Sequence, residues 1–380
     1  MGTTLIVTND FPPRQGGIET FVHAMAVRLA GQGVVVLTSA EPGAAAFDAG
    51  LPFPVVREPV RMLLPTARTA RRAVELAAEH GCDRVWFGAA APLAAMAPVL
   101  APVLRQAGAG RLVATTHGHE VWWARAPLAR RVLRRVGASC DTVTYLGEYT
   151  RRRIAPALGP GAALERLVPG VDPAVFRPSA ADRRAVRERY GLGRRPVVLC
   201  VARLVPRKGQ DVLIRALPLI LRRIPDAVLL LVGDGPDGSR LRRLARRCPP
   251  GAVVFAGGHG HPDTARFYAA ADVFAMPCRT RRAGLEAEGL GIVFLEASAS
   301  GLPVVAGRSG GAPDAVLPGR TGTVVDGRQV GEVAEAVLEF LQEPSRAREF
   351  GRAGREWVTR EWSWDASARR LAGMLAGRDG

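Results

Sequence analysis

The stretch PVVLCVARLVPRKGQDVLIRAL, residues 196 to 217, carries a β-branched apolar run, then a turn marked by Pro206 and Gly209, then a helical pattern. A continuous apolar run bounded by turn residues marks a strand covered on both faces, and such strands alternate with helices in parallel α/β sheets. The rhythm extends in both directions. Segments 196–202, 227–232, 253–256, 273–276 and 303–306 read as strands in the second half; 4–8, 33–38, 84–87, 112–116 and 142–145 do so in the first. With 380 residues the chain exceeds what one hydrophobic core supports. The expectation is an α/β protein of two doubly wound, Rossmann-like domains facing a cleft.

The boundary falls at VPGVDPAVFRP, residues 168–178, where prolines and a glycine interrupt the periodicity. We therefore expect a first domain over 1–167, a linker over 168–180 and a second domain over 181–355. The Arg- and Trp-rich segment 356–380 is expected to form a C-terminal helix that crosses back to the first domain. The uncharged stretch 85–104 is long enough by count to span a bilayer, but Gly88, Pro92, Pro98 and Pro102 break it, so it reads as a strand and then a helix. The first ten residues, MGTTLIVTND, lack a basic leader and read as a strand, which places the chain in the cytoplasm. Five scattered cysteines without a C-x-x-C pair read as reduced, buried thiols.

A net charge of +17 admits a nucleic acid, an anionic membrane or an anionic substrate. No helix-turn-helix, zinc module or aromatic stacking motif accompanies it, and aromatic residues are 6% of the chain, which argues against nucleic acid. The arginine-rich stretches 124–137 and 151–158, interleaved with Leu, Val and Ile, suit the surface of an anionic inner membrane, on which the chain would sit peripherally. Arginine supplies nearly all the positive charge. Lys208 is the only lysine and Asn9 the only asparagine. A single lysine kept among so many arginines marks a position that needs a compact ammonium instead of a planar fork.

Four strings carry the chemistry. TNDFPPRQGGIETF, residues 8–21, places Gly16 and Gly17 at the start of a helix, where backbone amides attract phosphate or sugar oxygens. TTHGHEVWW, residues 115–123, sets His117, His119 and Glu120 at the carboxyl edge of a strand; the spacing is not that of a zinc motif, so hydrogen bonding is the expected role. Arg203 and Lys208 flank the turn after strand 196–202 and form a clamp for a diphosphate. In the string 286–316, Glu288 precedes the turn Gly289-Leu290-Gly291-Ile292, and Glu296 follows eight positions later. The chain contains no Asp-x-Asp pair to hold a divalent metal, so those cations are expected to neutralise a leaving group with no metal or other cofactor.

Together, P-P-x-x-G-G, H-G-H-E, R-x-x-x-x-K-G and the two spaced glutamates resemble the retaining glycosyltransferases of family 4, which have the GT-B fold. The strings TNDFPPRQGGIE and CRTRRAGLEAEGLGIVFLEASASGLPVVAG look especially like the actinobacterial enzymes that move mannose from GDP-mannose to a phosphatidylinositol mannoside glycolipid. The resemblance implies that Arg203 and Lys208 hold the donor diphosphate, Glu296 the ribose, Glu288 the donor sugar, and that His117 lies beside the transferred sugar. It also implies that Gly16 and Gly17 approach the donor phosphate and that Asn9 and Asp10 lie near the acceptor. The segment 257–261, which includes His259, corresponds to the place where relatives contact the base, but it reads GGHGH here. A UDP-sugar donor with another acceptor is the alternative, and a basic nucleic-acid-binding protein the remote one.

Overall fold

A computed structural model describes residues 2–14, 16–106 and 110–377, the side chains of Gln106, His261 and Pro262 excepted. The chain divides into two compact units, Met1–Gly170 with Trp364–Gly380, and Val171–Ser363.

The first unit is built on β1 (Thr3–Val7), β2 (Val34–Ser39), β3 (Val55–Glu58), β4 (Cys82–Phe87), β5 (Arg111–Thr115), β6 (Thr142–Tyr145) and β7 (Leu164–Arg166). All pair in parallel in the order β3-β2-β1-β4-β5-β6-β7. Because side chains alternate along a strand, Leu5, Val7, Val85, Phe87, Leu112 and Ala114 enter the core on one face of the sheet, and Ile6, Val36, Trp86 and Val113 the core on the other. The second core is closed by Leu371, Met374 and Leu375 of the helix Trp364–Ala376.

The second unit repeats the plan with β8 (Val197–Val201), β9 (Val228–Val232), β10 (Val253–Gly257), β11 (Val273–Met276), β12 (Val304–Gly307) and β13 (Gly322–Val325), in the order β10-β9-β8-β11-β12-β13. In each sheet the direction of winding reverses, between β1 and β4 and between β8 and β11. Ligands of open parallel sheets bind outside the carboxyl ends of the strands at such a switch point.

Three strands lay outside the sequence expectation. β3, β7 and β13 are sheet edges of three or four residues, too short and too little buried to show a pattern. The domain limits also differ. No break exists at 355/356: the helix Pro344–Glu361 runs through it, with Trp357 and Val358 buried and Gly351 packed on the backbone of Gly301. The chain passes to the first unit between Ser363 and Trp364, and its last helix ends at Ala376; residues 378–380 lie outside the described residues. The stretch expected as a linker is packed onto the second unit from Val171 on. Phe176 is buried edge-on to Tyr268, and Arg355 donates to the carbonyls of Phe176 and Pro173. All five cysteines are buried and unpaired. Among the described residues no helix is long and apolar enough to cross a membrane.

Candidate active site

The turn after β8 positions the second unit's cations. Pro206–Lys208 forms a single 3-10 turn, and Gly209 follows with φ +81°. A β-carbon there would also collide with the carbonyl of Pro277 at the end of β11, so only glycine lets the two loops at the switch point meet. Lys208 is thereby drawn inward, to 9% exposure. Its Nζ lies 2.7 Å from Glu288 Oε2, and Arg207 Nη1 donates to the same oxygen at 2.8 Å. Glu288 is itself buried, and its backbone amide donates to Ser309 Oγ at 3.3 Å. Gly310 and Gly311 press directly on the backbone of Glu288 and Gly289, leaving no room for side chains. Burial alone would push the Glu288 carboxyl up; the charges of Lys208 and Arg207 outweigh it and hold it below its usual range. Glu288 is therefore an ionised carboxylate held by two cations.

Arg203 is exposed, and its guanidinium pairs with no carboxylate among the described residues. Its loop is fixed from behind. Gln210 Nε2 donates to Arg203 O at 3.1 Å, and the Gly233–Gly238 turn after β9 exchanges backbone bonds with Leu204. Arg279, from the loop after β11, reaches the buried Asp211 at 2.9 Å and so ties that loop to the helix Gln210–Leu221.

Gly291, with φ +81°, turns the chain into the helix Ile292–Ala299, which carries Glu296. Leu290 is buried and Ile292 half-buried, so at Leu290 only the backbone is available to a ligand. Glu296 is 2% exposed, and the buried Tyr268 hydroxyl donates to its Oε2 at 2.7 Å. His259 packs on Phe267, 4.6 Å between ring centres, with Nε2 3.1 Å from Ala256 O. The Gly258 amide is already taken by Asp234 at 2.6 Å.

In the first unit, β1, β4 and β5 deliver the corresponding loops. His117 Nε2 lies 2.7 Å from Gly88 O, and its ring meets Phe21 edge-on at 5.2 Å. Burial pushes His117 down to about 4, so the imidazole is neutral at physiological pH. Glu120 lies behind it, fully buried, accepting the amides of His117 and Gly118 at 3.0 Å each. Gly16 and Gly17 open the helix Gly17–Leu29. The space beside Gly17 is empty, whereas the Glu19 carboxylate folds over Gly16. Burial raises the Glu19 pKa, with Asp10 and Glu41 adding to it. Asp10 is half-buried, with its carboxylate unpaired among the described residues.

Asn9 is buried, and its side-chain amide is turned to backbone. Its Nδ2 donates to Leu63 O at 2.9 Å and its Oδ1 accepts Leu63 N–H at 2.6 Å. Both ends of the amide pin the loop after β3. Among the described residues, no group of three or more His, Cys, Asp or Glu is placed to hold a metal ion.

Two family profiles divide the chain: "Glycosyltransferase Family 4" matches residues 15–175 and "Glycosyl transferases group 1" residues 182–357. A GDP-mannose-dependent alpha-(1-6)-phosphatidylinositol monomannoside mannosyltransferase of Mycobacterium tuberculosis is 53% identical over 100% of this chain and 99% of its own length. The chain belongs to this glycosyltransferase family. A Corynebacterium glutamicum relative named for the monoacylated form of that acceptor is 46% identical to this glycosyltransferase over 98% of the chain and 97% of its own length. Among solved structures, Anabaena HepE in complex with UDP matches at a TM-score of 0.83 with 19% identity, covering 99% of this chain and 100% of HepE. Sucrose-phosphate synthase of Thermosynechococcus elongatus matches at 0.75 with 23% identity, covering 99% and 98%. At those identities the likeness concerns the fold, and the two doubly wound domains of the GT-B type expected from the sequence are the ones observed.

For a glycosyltransferase the sequence reasoning missed two charged groups that the structure brings to the candidate site. Arg207 was hidden by the abundance of arginine; its adjacency to Lys208 was the available signal. Glu19 lies in the first turn of the helix, three residues past Gly16, and nothing in the local sequence marks its fold over that glycine.

Proposed function

We propose that this glycosyltransferase transfers an α-mannosyl group from GDP-mannose to a phosphatidylinositol monomannoside, with retention of anomeric configuration. The observation that carries the proposal is the cluster of Lys208, Arg207 and Glu288 beside the unpaired Arg203 at the switch point of the second sheet. The names of the relatives that match end to end supply the donor and the acceptor.

Departure of GDP builds negative charge on the diphosphate and oxocarbenium character on mannose. Cations fixed in advance where that charge develops lower the barrier most. In this proposal Arg203, Lys208 and Arg207 receive the diphosphate, and no divalent metal is required. Glu288, kept ionised by two of those cations, accepts hydrogen bonds from mannose hydroxyls. Glu296, oriented by Tyr268, accepts from the ribose. His117, being neutral, accepts from a sugar hydroxyl, and Gly17 offers its amide to the donor phosphate. The acceptor hydroxyl attacks on the face from which GDP leaves, and a leaving phosphate oxygen takes its proton. Asn9 and Asp10 lie on the acceptor side in this proposal, and Asn9 also pins the loop after β3.

A glycolipid acceptor calls for a membrane, and the proposed location is the cytoplasmic face of an anionic bilayer. The helix Pro127–Ser139 exposes Arg130, Arg131, Arg134 and Arg135, with Leu128 at 75% exposure and Trp122, on the preceding helix, at 50%. Each cation near an anionic surface contributes about 1 kcal/mol.

A thermal-shift panel of GDP, UDP and ADP tests the donor assignment, since a ligand stabilises the fold it binds. GDP should raise the melting temperature most, with or without EDTA. Equal stabilisation by UDP, or loss of transfer in EDTA, would overturn the donor or the metal-independent part respectively.

A further inference from the structure

The turn after β5 holds a buried carboxylate that the roles above do not use. Glu120 Oε2 accepts two amides, from His117 and Gly118, and Gly118 stands at φ +100°, so the turn closes tightly over it. Glu120 Oε1 is equally buried and makes no hydrogen bond. The nearest group is His119 Nε2, 3.2 Å away and out of line for a bond. That nitrogen also lies 3.3 Å from Ala91 O. Both neighbours of His119 Nε2 are acceptors, so it carries the proton.

The Glu120 side chain reaches back to the amides two and three residues before it, as a glutamate does in a capping box, and so fixes the backbone of His117. With its carboxylate fully buried, Glu120 holds that backbone against the core. The His117 ring is fixed at its far end as well. Gly88 O can only accept, so His117 Nε2 carries the proton, and Nδ1 is left as an acceptor with no partner among the described residues. The Gly88 carbonyl is held by close packing, since a β-carbon on Gly88 would already stand 3.0 Å from Thr8 and Val22.

We propose that Glu120 is a positioning residue for His117: it locks the turn so that the imidazole presents Nδ1, in one tautomer, to a hydroxyl of the donor sugar. This rests on the assignment of His117 to the donor sugar. Glu120→Gln keeps an oxygen for the two amides but sets an N–H₂ against the N–H of His119, two donors 3.2 Å apart in the present geometry, which forces the turn to shift. A misplacement of that kind costs up to about a hundredfold in rate.

The test uses the full chain with GDP-mannose and phosphatidylinositol monomannoside. His117→Ala reports on the underlying assignment, and Glu120→Gln and Glu120→Asp on the proposal. Turnover of Glu120→Gln should fall about tenfold with the donor KM within about twofold of the parent. The ¹⁵N spectrum of the His117 ring should change from one tautomer to a mixture. Glu120→Asp, which keeps the charge but not the reach, should show the same two changes, and it carries the test if the glutamine variant does not fold. Normal turnover and a single tautomer in a folded Glu120 variant, with His117→Ala impaired, would overturn the proposal alone. Normal turnover in His117→Ala would overturn the assignment of His117 to the sugar, and with it the proposal.

Discussion

Glu288 in the second unit and Glu19 and Glu120 in the first are buried carboxylates at the carboxyl edges of two sheets with the same winding order, yet their pKa values move in opposite directions. Glu288 has Lys208 and Arg207 within 2.8 Å and is held ionised. Burial raises both carboxyls of the first unit: Glu120 finds only backbone amides and a half-exposed histidine, and Glu19 only its own backbone amide and the field of Arg14, which pairs with Glu41. A shared fold therefore carries two kinds of site. One concentrates positive charge around its carboxylate; the other surrounds its carboxyls chiefly with backbone amides.

Lys208→Ala breaks the contrast most directly. It removes the ammonium proposed to meet the leaving diphosphate, and turnover at saturating GDP-mannose should fall roughly a hundredfold or more, measured by steady-state kinetics. Asn9→Ala tests whether the first unit's loops are fixed by neutral bonds. Losing two buried hydrogen bonds should cost about 2 kcal/mol of stability in urea melts, with the donor KM unchanged. Arg207→Gln leaves Lys208 alone with Glu288; kcat/KM for the donor should drop about tenfold, as for loss of one charge-assisted contact.

Glu19→Gln has the smallest effect and a defined sign. Because the folded-state pKa of Glu19 is raised above 4.5, the parent loses stability as pH rises through that value, while the variant does not. The melting temperature of the variant should match the parent near pH 4 and exceed it at pH 7. Equal melting temperatures at both values would remove Glu19 from the comparison.

The sheets were legible because their central strands are covered on both faces and read as unbroken apolar runs. Edge strands such as β7 bury too little to leave a pattern. The end of the second unit was misplaced because residues 344–361 and 364–376 share one helical periodicity, and the sequence does not mark which core each face meets. Lys208 stood out by composition and Gly209 by its turn. Arg207 did not, since one arginine among many carries no signal until Glu288 is seen to fall beside it. Asn9 shows the converse. Its rarity marks it in the sequence, but its bond to Leu63 spans 54 residues, which local sequence does not reveal.

The central claim is the transfer itself, and mass spectrometry of phosphatidylinositol monomannoside after incubation with the purified chain tests it most directly. GDP-mannose should give a product one hexose heavier, α-linked by NMR, and UDP-glucose none. An unmodified acceptor in the presence of GDP-mannose and folded protein, or a β-linked product, would contradict it.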